Sequence, residues 1–191
     1  EFQANTTNRY NVSIGTFAGQ KAIGTNSVNV GYQAGWYATG SNNTFLGSQA
    51  GKGGNSSAPY SSGQNNTAVG SEALKDFTTA ESVVAIGYLA GENITTGTGN
   101  TLVGKSSGDA ITSAEYNTAV GVGSLGAMTT GGNNNTALGA FAASSINDTD
   151  AIDNVFIGAY AGTGGTGALK RSVAIGKNAL NSTGTADVIG A

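Results

Sequence analysis

The chain has 191 residues, 38% hydrophobic and only 10% charged, with a formal net charge of -3, 32 glycines and a single proline. Histidine and cysteine are both absent, which excludes disulfide frameworks, thiolate metal sites and serine–histidine or cysteine–histidine catalysis. The profile is not that of a standard globular domain, yet the low net charge and the regular recurrence of apolar residues also set it apart from disordered chains.

Residues 1–10 read as an N-terminal lead-in or a cloning remnant, and residues 11–191 as one repeat domain. From Asn11 onward a five-residue unit recurs: Asn11-Val12-Ser13-Ile14-Gly15, then units closing on Gly31, Gly47, Gly70, Gly87, Gly104, Gly121, Gly139, Gly158 and Gly176. A degenerate copy, Asp187-Val188-Ile189-Gly190, follows. Most closing glycines lie about 16 to 19 residues apart, a length that suits one coil of a β-solenoid and is too short for a helical pair. The fold class expected is therefore all-β, a parallel β-solenoid of about ten short coils.

Within each unit the residue before the glycine is Ile, Val or Leu, and the residue two positions earlier is Val or Thr. Alternate residues of a strand share one face, and these two are expected to line the coil interior. The middle residue is then expected on the outer face: Phe45, Ala68, Ala85, Leu102, Ala119, Ala137, Phe156 and Ala174 are mostly small and apolar. A strand apolar on both sides is covered on both sides, so these eight are candidate contacts with another copy of the chain. After the glycine most units continue through a small residue, such as Ala18, Ala34, Ala90 or Ala179, which permits close stacking of coils.

Several segments stand out from the repeat. Residues 52–65 form the longest insertion and hold the only proline; long insertions in solenoids often carry binding residues. There Tyr60 is a candidate to stack on a sugar, with Asn55 and Gln64 as hydrogen-bonding partners. Trp36 and Tyr37 are further candidates for glycan contact, because neighbours in a strand cannot share a face. Asp148, Asp150 and Asp153 bring three carboxylates together as a weak set of hard-cation donors, without the glycine and distal glutamate of an EF-hand loop; no metal and no cofactor is expected. The scattered Lys and Arg residues argue against nucleic acid. No apolar run reaches the length of a membrane span, so membrane insertion is not expected.

Units such as Ser172-Val173-Ala174-Ile175-Gly176-Lys177-Asn178-Ala179 resemble the head repeats of trimeric autotransporter adhesins. The Asn-Thr-Ala-Val-Gly units with Thr-Thr-Gly spacers are similar to repeats in bacteriophage tail-fibre shafts and related bacterial fibre proteins. Coil spacing is longer here than in the adhesin heads. The resemblance implies three chains side by side in a stiff, non-enzymatic extracellular fibre, on a virion tail fibre or a bacterial cell surface, that attaches to a host surface or glycan. An alternative is a secreted filament subunit that polymerises end to end through its open terminal coils. An ice-binding or other surface-binding solenoid is a third reading, weakened because Thr44, Thr67, Thr101, Thr118 and Thr136 alternate with Val at a position expected to point inward.

Overall fold

The computed structural model describes residues 10–54, 56–164 and 169–181. Each closing glycine ends a three-residue strand: β1 (Val12–Ile14), β2 (Val28–Val30), β3 (Thr44–Leu46), β4 (Thr67–Val69), β5 (Val84–Ile86), β6 (Thr101–Val103), β7 (Thr118–Val120), β8 (Thr136–Leu138), β9 (Val155–Ile157) and β10 (Val173–Ile175). They pair in parallel, in chain order and in strict register, as one ten-stranded sheet. The chain is thus an all-β solenoid, one strand per coil, with no helix among the described residues. At about 4.8 Å per strand the sheet is about 43 Å long.

Stacking in register explains the invariant glycine. Gly15 has a φ of 127°, and a Cβ there would lie 2.6 Å from the Gly31 carbonyl oxygen; the same collision recurs up the stack. Only a residue without a side chain lets successive corners approach so closely.

The faces of the strand are the reverse of those expected from the sequence. Phe45, Ala68, Ala85, Leu102, Ala119, Ala137 and Phe156 are fully buried and Ala174 nearly so, all inside the coil. These eight middle residues therefore cannot touch a second copy of the chain. The Val/Thr and Ile/Val/Leu positions on either side point outward, and none of the twenty is buried. The physical reason lies one residue before the strand, at a position that shares the inward face with the middle residue.

That position is asparagine in most coils, and Asn43, Asn66, Asn100, Asn117, Asn135 and Asn154 are buried. Asn117 accepts the Asn135 backbone N–H on Oδ1 at 2.9 Å and donates from Nδ2 to the Gly132 carbonyl at 2.8 Å. The same pair of bonds recurs for Asn43, Asn66, Asn100, Asn135 and Asn154. A buried amide with its acceptor and a donor satisfied costs little, so a polar residue belongs inside. The interior is completed by the alanine column after the corner, with Ala34, Ala50, Ala73 and Ala90 fully buried as their small size suggested. A further column, Phe77, Ile94, Ile111, Met128 and Ile146, packs on the far wall.

Candidate binding surfaces

Outward from the sheet run two side-chain columns. The one nearer the corner is wholly aliphatic: Ile14, Val30, Leu46, Val69, Ile86, Val103, Val120, Leu138, Ile157 and Ile175. Leu46, Ile86 and Val120 are 39 to 46% exposed in the body of the sheet, and Ile14 on the edge strand β1 is 46% exposed. The other column mixes Val and Thr and includes Thr44, Thr67, Thr101, Thr118 and Thr136. These threonines were expected to point inward and instead stand on the surface, half-buried or exposed. Around the corner Tyr32, Tyr88, Phe141 and Tyr160 add 39 to 48% exposed rings beside the aliphatic column.

No charged side chain interrupts either column, and among the described residues no element packs over this face. In plan the strip is about 43 Å by on the order of 12 Å, roughly 500 Å², at the upper end of the single apolar patch that a monomer leaves in water.

A second surface lies on the flank of the first three coils. Phe17 stacks on Trp36 with centroids 5.1 Å apart, Trp36 on Tyr37 at 4.7 Å, and Tyr37 on Tyr60 at 5.9 Å, with planes within 13° of parallel throughout. Tyr32 meets Phe17 edge-on at 6.4 Å. Backbone pairing positions the last ring: Ala38 bridges Ser61, and the Ser61 N–H donates to the Tyr37 carbonyl at 3.1 Å, which sets Tyr60 beside Tyr37. Trp36 donates from Nε1 to the Gln20 side-chain oxygen at 2.7 Å, and the Lys52 ammonium sits 5.9 Å from the Trp36 ring.

Three of the residues singled out in the sequence, Trp36, Tyr37 and Tyr60, are thereby brought into one ladder. Trp36 and Tyr37 lie in a turn, not in a strand, so they stack on each other and both are half-buried. Gln64 is exposed and takes no part in the ring stack; its carbonyl accepts the Ser82 N–H on the approach to β5. Asn55 lies outside the described residues, as does the degenerate unit ending at Gly190.

Comparison with protein-family models, curated proteins and solved structures gave no match for this chain.

The three carboxylates do not converge. Asp148 accepts the Asp150 N–H at 2.8 Å, Asp150 pairs with Lys170 at 3.2 Å, and Asp153 lies 4.0 Å from Arg171. Each is turned to a separate partner, and no group of three metal-ligating side chains occurs among the described residues. A charged cluster does form on the flank of coils four to six. Lys75 pairs with Glu72 at 2.9 Å and with Glu92. Burial lowers the Lys75 pKa, but the hydrogen bonds that its ammonium donates to Glu92 and Glu72 outweigh it and hold the ammonium well above its usual range. Burial pushes the carboxyls of Asp76 and Asp109 up.

Proposed function

We propose that this chain is a non-enzymatic rod segment of a homotrimeric extracellular fibre, whose copies pack side by side through the outer face of the sheet. The observation that carries the reading is the unbroken aliphatic column from Ile14 to Ile175, ten residues in register and left open to water. Covering it by like faces removes apolar surface at about 25 cal/mol per Å², and a face repeated identically on every copy suits a closed symmetric assembly. The number three comes from the likeness of the repeats to trimeric fibre shafts and adhesin heads. A stiff rod presenting several copies of one weak site gains avidity without new contacts, which is the mechanism offered for attachment to a host surface or glycan. Extracellular placement, on a virion or a bacterial surface, is part of the same proposal.

The test is a sedimentation measurement on the wild type and on Val120→Glu. Expected is a discrete trimer for the former and a folded monomer for the latter. Concentration-dependent growth beyond a trimer would instead support end-to-end polymerisation through the open edges of β1 and β10.

A second reading gains from the reversal of faces. Thr44, Thr67, Thr101, Thr118 and Thr136 are now on a regular outer sheet, the setting an ice-binding surface needs. Thermal hysteresis from a monomeric chain would favour it; its absence together with a trimer would dispose of it.

A further inference from the structure

The coil architecture supplies its own control for the aromatic ladder. The position five residues after the closing glycine is Trp36 in the second coil, but Gln20, Lys52, Lys75, Glu92 and Asp109 in its neighbours; the next position is Tyr37 beside Lys21, Asp76 and Asn93. The same backbone is therefore built elsewhere with polar and charged side chains, and nothing in the fold calls for large rings here. The insertion is a second departure: coils are otherwise 16 to 19 residues long, whereas the corresponding asparagines Asn43 and Asn66 are 23 apart. The additional residues carry Tyr60 onto Tyr37. Two independent departures from the repeat thus meet at one surface.

Chemistry narrows what that surface holds. At the end of the ladder Tyr60 has Tyr37 as its one aromatic neighbour among the described residues and is half-buried, which leaves an aromatic face for the C–H bonds of a pyranose ring. Exposed Ser56 and Ser57 and the Gln20 amide lie on the same elements and offer hydrogen bonds to hydroxyls. Lys52, which makes no ion pair among the described residues, keeps its ammonium by the Trp36 ring; its charge also acts on the Asp76 carboxyl of the next coil, and it is the one cation set against the aromatic patch among the described residues. An ammonium held partly out of water favours a carboxylate partner.

From this geometry we infer that the Phe17, Trp36, Tyr37 and Tyr60 ladder with Lys52 is a binding site for an acidic oligosaccharide, a glycan whose sugar carries a carboxylate. The inference rests on the attachment role proposed above and names its ligand class. Each copy in a trimer presents one such site on the flank of the rod, with its Phe17 end meeting Tyr32 beside the aliphatic column.

The test uses the full chain on an array of sialylated and uronic-acid oligosaccharides, each printed beside its neutral parent. Expected is retention of acidic members over their parents, a loss of at least ten-fold on Trp36→Ala or Tyr60→Ala, and loss of the acidic preference with residual neutral binding on Lys52→Gln. Sedimentation and circular dichroism of the same variants check that assembly and fold persist, since failure of the lateral assembly appears in the mass and failure of the site only in the array. Equal retention of acidic and neutral members, retention that survives Trp36→Ala, or no retention by a correctly assembled chain would each overturn the proposal.

Discussion

A Cβ on Gly51 would collide with the ring of Phe45, the inward residue of the preceding strand in the same coil. The relation recurs in several coils: the inward strand residue and the residue four after the closing glycine share one volume. Phe156 faces Gly162 and Leu102 faces Gly108, whereas Ala68 is matched by Leu74 and Ala119 by Leu125. In the fifth coil Ala85 and Gly91 are both small, and Leu102 of the next coil reaches in to fill the space. Since interiors are packed to near-crystalline density, this exchange keeps the coil cross-section constant.

Phe45→Ala alone is expected to destabilise by about 3 to 5 kcal/mol through the cavity it leaves, and Gly51→Leu alone by at least about 2 kcal/mol through overpacking. The double variant recreates the Ala68 and Leu74 arrangement and is expected to cost less than either single change. Urea unfolding of the four proteins gives the coupling; additive losses would refute shared volume.

The asparagine ladder yields a second expectation. Asn117→Ala strips a partner from the Asn135 N–H and from the Gly132 carbonyl, both within the coil, and is expected to cost about 2 to 4 kcal/mol. Asn117→Asp keeps the acceptor and loses the donor. Burial raises the pKa of the introduced carboxyl above its unfolded value, so the folded state binds the proton more tightly and the deficit shrinks as pH falls through that raised pKa. Urea midpoints of the two variants between pH 7 and pH 4 check this; an aspartate variant that does not recover on acidification would contradict it.

Lys75 carries the alkaline expectation. Its folded pKa is raised, so its contribution is fully present below the unfolded value of about 10.5 and is lost as pH rises through the folded one. Lys75→Met is expected to lower stability at pH 7 by about 1 kcal/mol, as befits a largely screened cluster with side chains 20 to 30% exposed. The gap between wild type and variant should close above about pH 10.5. Thermal melts across pH 7 to 12 follow it, and a gap that is constant with pH would show that packing, not charge, sets the loss.

The strands and their register were legible in the sequence because Gly104, Gly121 and Gly139 mark each corner at nearly even intervals. Which face points inward was not. Thr118-Ala119-Val120 is apolar enough on both sides that hydropathy favours putting valine inside, and only the hydrogen bonding of Asn117, two residues before Ala119, reverses that choice. A buried asparagine reads as a surface residue until the next coil's N–H is seen to need it. Likewise Trp36, Tyr37 and Tyr60 could be named singly, but their union depends on how the insertion returns to pair Ser61 with Ala38, and no local pattern encodes that path.

The apolar outer face gives the account its sharpest exposure to failure. A charge at Val120 stands on the aliphatic column without touching the coil interior, so Val120→Glu is expected to leave the fold intact and to oppose lateral packing. The deciding measurement is the solution mass of the wild-type chain by sedimentation equilibrium, with Val120→Glu run beside it. Expected is three times the 18.7 kDa of the single chain for the wild type and the single-chain mass for the variant. A wild-type chain that sediments as a folded monomer, or a trimer unmoved by Val120→Glu, would contradict assembly through this face.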